Sequence, residues 1–598
     1  MISLFLASLS SLSLAAATTQ YCPLTGPLFV PPRNLSAASF SSAADNFTST
    51  VKDSLSSGTS PLGPLPINTT TFSVQFFSAH SDEPLFQYDH TAPSVANGSV
   101  GSKLSSADSV YRLGSVSKLL TVLTWLVHDG DHHWSNAITD LVPELLQAKG
   151  DIVDKVDWES VTVGDLASQL GGVPHDYAFG DLYGILGDEA LLYGFPPLAE
   201  KNIPPCGLGE GVWDQEAPCN RTEFLDGFRN EPPSYAPASY PAYSNGAYEL
   251  LAFALVRITG KPFEELFDEA LVQPLGLNST FYSMPNDTDI GIIPGNQTTS
   301  GWNFDLGSGT PFGGIYSSTH DLGVIGRAIL QATRPISNSS AASLNMTSAT
   351  ARRWLKPHSF ANSLHGAVGA PWEIYRWEMP TIPHAVDVYT KSGDGGYYAG
   401  ILAVIPEWEV GFSILAADET APVDSVLVLA NLLAEAFFPT LHSIAQNETA
   451  RLFAGRYAAN STTGLNSSMV LSSSADAPGI GVDEWISNGT DFIAAFTEME
   501  EYQSTSVRLY PMNLYTPPST NGDFQIAFRA VYTGQGQDYP RSSSLIWPQC
   551  QAWTDIDNMR YGNIGYDLVV ITLSESDGVL HQAEKVEARM LQGVYYRE

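Results

Sequence analysis

Three short motifs constrain this chain more than any other feature. Ser115-Val116-Ser117-Lys118, Tyr243-Ser244-Asn245 and Lys391-Ser392-Gly393 read in order as S-x-x-K, Y-x-N and K-[ST]-G. Together they are the elements of a serine acyl-enzyme site. Alone, each is weak. S-x-x-K recurs at Ser49-Thr50-Val51-Lys52 and Y-x-N at Tyr561-Gly562-Asn563. Context separates the copies. Ser115 opens an apolar helix read over Ser117 to Val127, whereas Ser49 lies in a Ser/Thr-rich lead-in. Tyr243 immediately precedes a helical pattern over Gly246–Thr259, stopped at Gly260-Lys261-Pro262. Tyr561 reads only as a turn.

The chemistry follows from residue type and spacing. A serine at a helix start sits where backbone N–H groups and the positive dipole end favour a developing oxyanion. Lys118, three residues on, shares the face of Ser115; if buried, it loses ammonium stability and serves as a base. A Tyr243 phenol beside that cation has its pKa lowered and is placed to shuttle the serine proton. Asn245 offers its amide to Lys118 and to a substrate carbonyl. Lys391-Ser392-Gly393 ends a strand and runs into Asp394-Gly395-Gly396. The Asp394 N–H is expected to pair with the Ser115 N–H as an oxyanion hole. Lys391 would support the Tyr243 phenolate or hold an anionic substrate group, and the glycines allow close approach to the backbone.

Strand patterns at Phe72–Phe76, Pro84–Gln87, Val386–Thr390, Tyr398–Ile405 and Val410–Ala416 flank a long, mostly helical middle. A helix is expected over Val423–Phe437. The expected fold is α+β, its sheet completed by segments from both ends of the domain. Residues 18–70, rich in Ser, Thr and Pro, read as an extended arm; 71–445 as the catalytic domain; and 446–598, with short strand-like runs between turns, as a β-rich C-terminal domain. Neither G-x-S-x-G nor H-E-x-x-H occurs, so the sequence supports no nucleophile elbow and calls for no metal or cofactor. His132-His133 read as surface histidines, and Gly207-Leu208-Gly209-Glu210-Gly211 lacks the strand a phosphate loop needs.

Sixty-three acidic against 28 basic residues give a net charge of -35, a field that repels nucleic acid and anionic membranes. Residues 1–17 read as a signal peptide: an apolar run ending in Ala15-Ala16-Ala17, without the usual leading Lys or Arg. No later segment reads as a membrane span. Fourteen N-x-[ST] sequons follow, at Asn34, Asn46, Asn68, Asn97, Asn220, Asn278, Asn286, Asn296, Asn338, Asn345, Asn447, Asn460, Asn466 and Asn488. They fit a secreted glycoprotein. Four cysteines on an oxidising route allow three pairings. Cys206 and Cys219 bracket a short Gly/Pro-rich loop and are expected to pair locally; Cys22 would then tie to Cys550.

On these motifs the chain resembles the serine β-lactamase and penicillin-binding-protein-like superfamily, in its class C-like branch of peptidases, esterases and transesterases. The supporting stretches are Val110 to Leu119, Tyr243 to Leu251, Pro274 to Thr280 and Gly313 to Leu322, within a likeness over about 70–440. The tail from Phe453 resembles the C-terminal domain of secreted fungal β-lactamase-like proteins. The resemblance implies an antiparallel sheet flanked by helices plus a helical subdomain. It implies Ser115 as nucleophile, Lys118 and Tyr243 as proton-transfer partners, and Asn245 and Lys391 as positioning groups. Leu170-Gly171-Gly172-Val173-Pro174 only partly matches a family loop that usually carries His and Ser, and the stretch between the first two motifs is enlarged. The expected activity is hydrolysis of an ester, amide or peptide. An acyltransferase or cyclase would carry the same motifs, and a catalytically silent binding protein is the remaining alternative.

Overall fold

The computed structural model describes residues 21–207, 217–334, 344–379, 384–460, 466–535, 552–576 and 579–598. The expected signal peptide therefore lies outside the described residues. The chain divides into two units: Pro31–Glu378 with Ala385–Ala445, and Gln446–Glu598 with segments from 1–30 and 379–384.

In the larger unit the strands of the main sheet are β1 (Thr71–Ser78), β2 (Phe86–His90), β3 (Ser359–Phe360), β4 (Gly366–Val368), β5 (Glu373–Glu378), β6 (Ala385–Gly395), β7 (Tyr398–Ile405) and β8 (Val410–Ala417). They form one antiparallel sheet in the order β2-β1-β8-β7-β6-β5-β4-β3. The N-terminal hairpin is thus completed by strands more than 300 residues later, with Val74 opposite Ile414. Strands β1, β7 and β8 are buried along their whole length; β7 and β8 are near-continuous apolar runs, as a sheet covered on both faces requires, whereas β1 also buries Ser73 and Gln75.

The principal helices are α1 (Ser41–Ser57), α2 (Val116–His128), α3 (Gly246–Thr259), α4 (Thr319–Ala332) and α5 (Pro422–Phe453). Helix α2 is buried from Val116 to Val127, which explains its near-continuous apolar sequence. Helix α1 corrects the reading of 18–70 as an extended arm. Its Ala43, Phe47, Val51 and Leu55 recur every four residues and are buried; Phe47 packs edge-on against Phe86 and Phe437. The Ser/Thr content hid a helix period. Ser49 and Lys52 lie on its exposed side. Helix α5 runs 16 residues beyond the expected Phe437, through Pro439, because apolar residues past the proline (Leu441, Ala445, Leu452, Phe453) are also buried. Among the described residues α5 alone is long and apolar enough to cross a membrane, and half of its apolar window is buried.

The smaller unit carries β9 (Gly455–Ala459), β10 (Ser468–Ser472), β11 (Ile480–Ser487), β12 (Ser504–Tyr515), β13 (Asp523–Gln535), β14 (Leu568–Ser576), β15 (Lys585–Ala588) and β16 (Gly593–Arg597). Their order is β10-β9-β16-β15-β14-β13-β12-β11, and β11 pairs back to β10. The sheet closes into an eight-stranded barrel, which removes its edges. Its interior is filled by Tyr457, Met469, Trp485, Phe528, Ile571 and Tyr595 among others.

Candidate active site

Ser115 caps the start of α2, and Lys118 lies on the first turn with no exposed surface. The Lys118 Nζ donates to Ser115 Oγ at 2.9 Å, to Asn245 Oδ1 at 2.6 Å and to the Phe312 carbonyl at 2.9 Å. All three ammonium protons thus have acceptors, and none of these is a carboxylate. Asn245 caps α3, so two helix starts meet at one lysine.

The segment before Asn245 is clamped from behind. Ser234, Ala238 and Ala242 donate backbone N–H groups to the carbonyls of Gly172, Leu170 and Gln169. The Ser244 N–H reaches Gln169 Oε1 at 2.8 Å and its hydroxyl donates to the Pro174 carbonyl at 2.6 Å. The Leu170–Pro174 loop, which only partly fits the family pattern, therefore positions Tyr243 and Asn245 through its backbone. Gly172 allows this: a Cβ there would lie 2.2 Å from the Tyr235 carbonyl oxygen.

Tyr243 is 37% exposed, and both Lys118 and Ser115 stand close enough to its hydroxyl to lower its pKa. The Lys118 and Lys391 nitrogens stand 4.8 and 5.4 Å from its ring centre. Burial pushes the phenol up; the two ammonium charges more than offset this and hold it below its ordinary value. Burial holds the Lys118 ammonium below its ordinary value, only partly opposed by Tyr243.

Lys391 is just as buried, at 1% exposure, yet behaves oppositely. Burial alone would push it down, but Glu373 and Tyr243 raise it above its ordinary value. The Lys391 Nζ donates to Glu373 Oε1 at 2.5 Å, while Glu373 Oε2 accepts from the Ser392 N–H at 2.9 Å and hydroxyl at 2.7 Å. These contacts outweigh the burial of Glu373 and keep its carboxyl low.

Strand register places the last element. β6 pairs with β5 only as far as Thr390 opposite Glu373. Ser392 turns its N–H to that side, so the Asp394 N–H, two residues on, leaves the same, now unpaired, edge. That edge meets the start of α2 backbone to backbone. A Cβ on Gly393 would lie 2.6 Å from the Ser115 nitrogen, and one on Gly114 (φ +53°) 2.5 Å from the Asp394 nitrogen. Only glycines allow this approach.

The structure thus brings together Ser115, Lys118, Tyr243, Asn245, Lys391, Ser392, Gly393 and the Asp394 backbone. Cys206 and Cys219 are bonded to each other. Cys22 is disulfide-bonded, and Cys550 lies outside the described residues. Thirteen sequon asparagines are exposed; Asn338 lies outside the described residues. His132 and His133 both turn back onto Asp129. Motif reading missed three groups: Glu373, the Phe312 carbonyl, and Asp176, which accepts from Asn245 Nδ2 at 3.1 Å. Only Asp176, beside the partial loop match, carried any sequence signal.

Comparison with known proteins finds relatives of the whole chain. Residues 90–435 match the family described as Beta-lactamase, and 445–598 a family described as Beta-lactamase-like-like, C-terminal domain. A Beta-lactamase-like protein of Arthroderma benhamiae is 28% identical over 590 residues, covering 94% of both chains. A probable hydrolase, M10, of a Phoma species is 28% identical over 437 residues, 71% of this chain and 67% of that one. Among solved structures, a beta-lactamase/D-alanine carboxypeptidase from Yersinia pestis covers 67% of this chain and 98% of its own at 16% identity, with a TM-score of 0.45.

Proposed function

This chain belongs to the beta-lactamase family and is a serine hydrolase of that related type, and from that premise we propose that it works through an acyl-enzyme on Ser115. The Ser115 hydroxyl gives its proton to the Tyr243 oxygen as Oγ attacks an ester or amide carbonyl. Lys118 holds Oγ in line and keeps the phenolate charge balanced. The carbonyl oxygen becomes an oxyanion between the N–H groups of Ser115 and Asp394. Collapse breaks the bond to the leaving group, which takes the proton from Tyr243. Water then attacks the ester on Ser115, gives its proton to Tyr243, and the acid departs as Ser115 regains a proton. Lys391, held charged by Glu373, keeps the Tyr243 oxygen anionic between turnovers. The observation that carries this reading is the 2.9 Å contact of a buried lysine with Ser115 Oγ beside a tyrosine flanked by two ammonium groups.

The substrates are small esters, amides or peptides. The protein is exported and glycosylated in this reading, supported by the 13 exposed sequon asparagines. A fluorophosphonate probe should label the wild type and leave Ser115→Ala unlabelled; equal labelling of both would remove Ser115 from the mechanism. Digestion of the natural product with peptide N-glycosidase should lower its apparent mass, and an unchanged mass would end the glycosylation reading.

A further inference from the structure

The short helix Val163–Ala167 ends behind the Tyr243 segment, and the way it ends is unusual. Beyond its cap at Ser168, the Gln169 N–H donates to the Leu166 carbonyl at 3.3 Å and the Leu170 N–H to the Asp165 carbonyl at 2.8 Å. That pair of bonds closes a helix only when the first residue past the cap is left-handed, and glycine is the usual choice there. This chain has Gln169 instead, at φ +62°. Its Cβ brings a steric cost that a glycine escapes.

The Gln169 side chain is 5% exposed, and both of its oxygens face the same target. Its carbonyl accepts from the Ala242 N–H at 2.9 Å and its Oε1 from the Ser244 N–H at 2.8 Å. Those two residues flank Tyr243, so one residue grips the backbone on both sides of the phenol. Ser244 passes the hold to α3, where its hydroxyl accepts from the Ala247 N–H at 3.0 Å. The other end of the amide gains nothing: Gln169 Nε2 is buried with no hydrogen-bond partner among the described residues. An unpaired buried donor is a second local cost. A glycine would keep the bond from Ala242, avoid both costs and lose only the bond from Ser244. Strain kept beside a reacting group points to a use for it.

We propose that Gln169 is a positioning residue for Tyr243, holding the phenol oxygen between Lys118 and Lys391 through the backbone of Ala242 and Ser244. The titratable groups around the phenol are Lys118 on α2, Tyr248 on α3, Lys391 on β6 and His175 in the loop after Pro174, whose ring centre is 5.6 Å from that of Tyr243. The two ammonium groups hold the phenol below its ordinary value, so a ring that drifts from them titrates at higher pH. The catalytic consequence rests on the Ser115 acyl-enzyme; the placement of the phenol does not.

Two full-chain variants test this. Gln169→Met keeps the side-chain volume and the backbone demand and removes only the amide. Gln169→Gly gives the helix its usual end and removes the side chain. Phenolate absorbance is followed against pH in the wild type and both variants, each with its Tyr243→Phe counterpart subtracted, so that Tyr243 alone is read. Its titration should move to higher pH in both variants. On a nitrophenyl ester each should lose about tenfold in kcat with KM little changed, and Gln169→Gly should do so with Tm kept or raised. A Tyr243 titration that stays in place in Gln169→Met overturns the proposal, even where kcat falls, because the loss is then one of folding and not of placement. Wild-type kcat in both variants overturns it too. If the wild type hydrolyses no ester and Ser115 takes no label, the acyl-enzyme falls and the titration still decides whether Gln169 places the phenol.

Discussion

Two buried lysines, one on the first turn of α2 and one within β6, face one tyrosine, and they are tuned in opposite directions. Lys118, on α2, has a serine oxygen, an amide oxygen and a peptide carbonyl for acceptors. Lys391, on β6, has the Glu373 carboxylate. Burial alone pushes an ammonium down; one carboxylate at hydrogen-bond distance reverses the result. In the proposed mechanism the pocket around Lys118 thus serves to hold Ser115 Oγ beside the phenolate, and the pocket around Lys391 to keep a permanent charge.

The sharpest way to break this contrast is Lys118→Ala. It removes the group that fixes Ser115 Oγ and half of the charge on Tyr243, and should cost about 10³-fold in kcat/KM, measured on any ester the wild type turns over. Gly393→Ala should come next, at about 10² in kcat with a smaller change in KM. Its Cβ would force β6 away from the Ser115 nitrogen and spread the two oxyanion donors. A crystal structure of that variant with the gap unchanged would contradict the reason given.

Glu373→Gln sharpens the contrast more finely. Lys391 loses the carboxylate that raises its pKa and should titrate lower, weakening its hold on the Tyr243 phenolate. A loss of about tenfold in kcat/KM at neutral pH is expected, smaller at low pH where Lys391 remains charged. Breaking the Cys206–Cys219 bridge with Cys206→Ser should have the least effect on chemistry. It releases a loop closed over 13 residues, worth about 3 kcal/mol of stability, so Tm should fall while Ser115 still labels.

The same contrast explains what the sequence could convey. Ser115 with Lys118, and Tyr243 with Asn245, sit within three residues of one another at helix starts, so local spacing carries their geometry. Glu373 lies 18 residues before Lys391 and reaches it only because β5 and β6 pair with Glu373 opposite Thr390; a lone glutamate carries no such register. The α3 boundaries were legible because its apolar period ends cleanly at Gly260. Helix α1 was not, since its four buried positions are set among Ser and Thr that favour turns. Sheet closure by β1 with β8 follows from tertiary pairing, for which alternating or continuous apolar runs name the strands but not their partners.

The most direct measurement is the pH dependence of fluorophosphonate labelling at Ser115, read by intact mass in the wild type and in Lys391→Met. In the proposed mechanism Tyr243 acts as the phenolate, and its pKa is lowered by Lys118 and Lys391 against burial, so the active form is gained as pH rises and lost as pH falls through that lowered value. The wild-type rate should reach its plateau below the ordinary tyrosine pKa of about 10, and Lys391→Met should shift the rise to higher pH. A wild-type rise centred at the ordinary tyrosine value, or a profile that Lys391→Met leaves in place, would contradict the role assigned to the paired lysines.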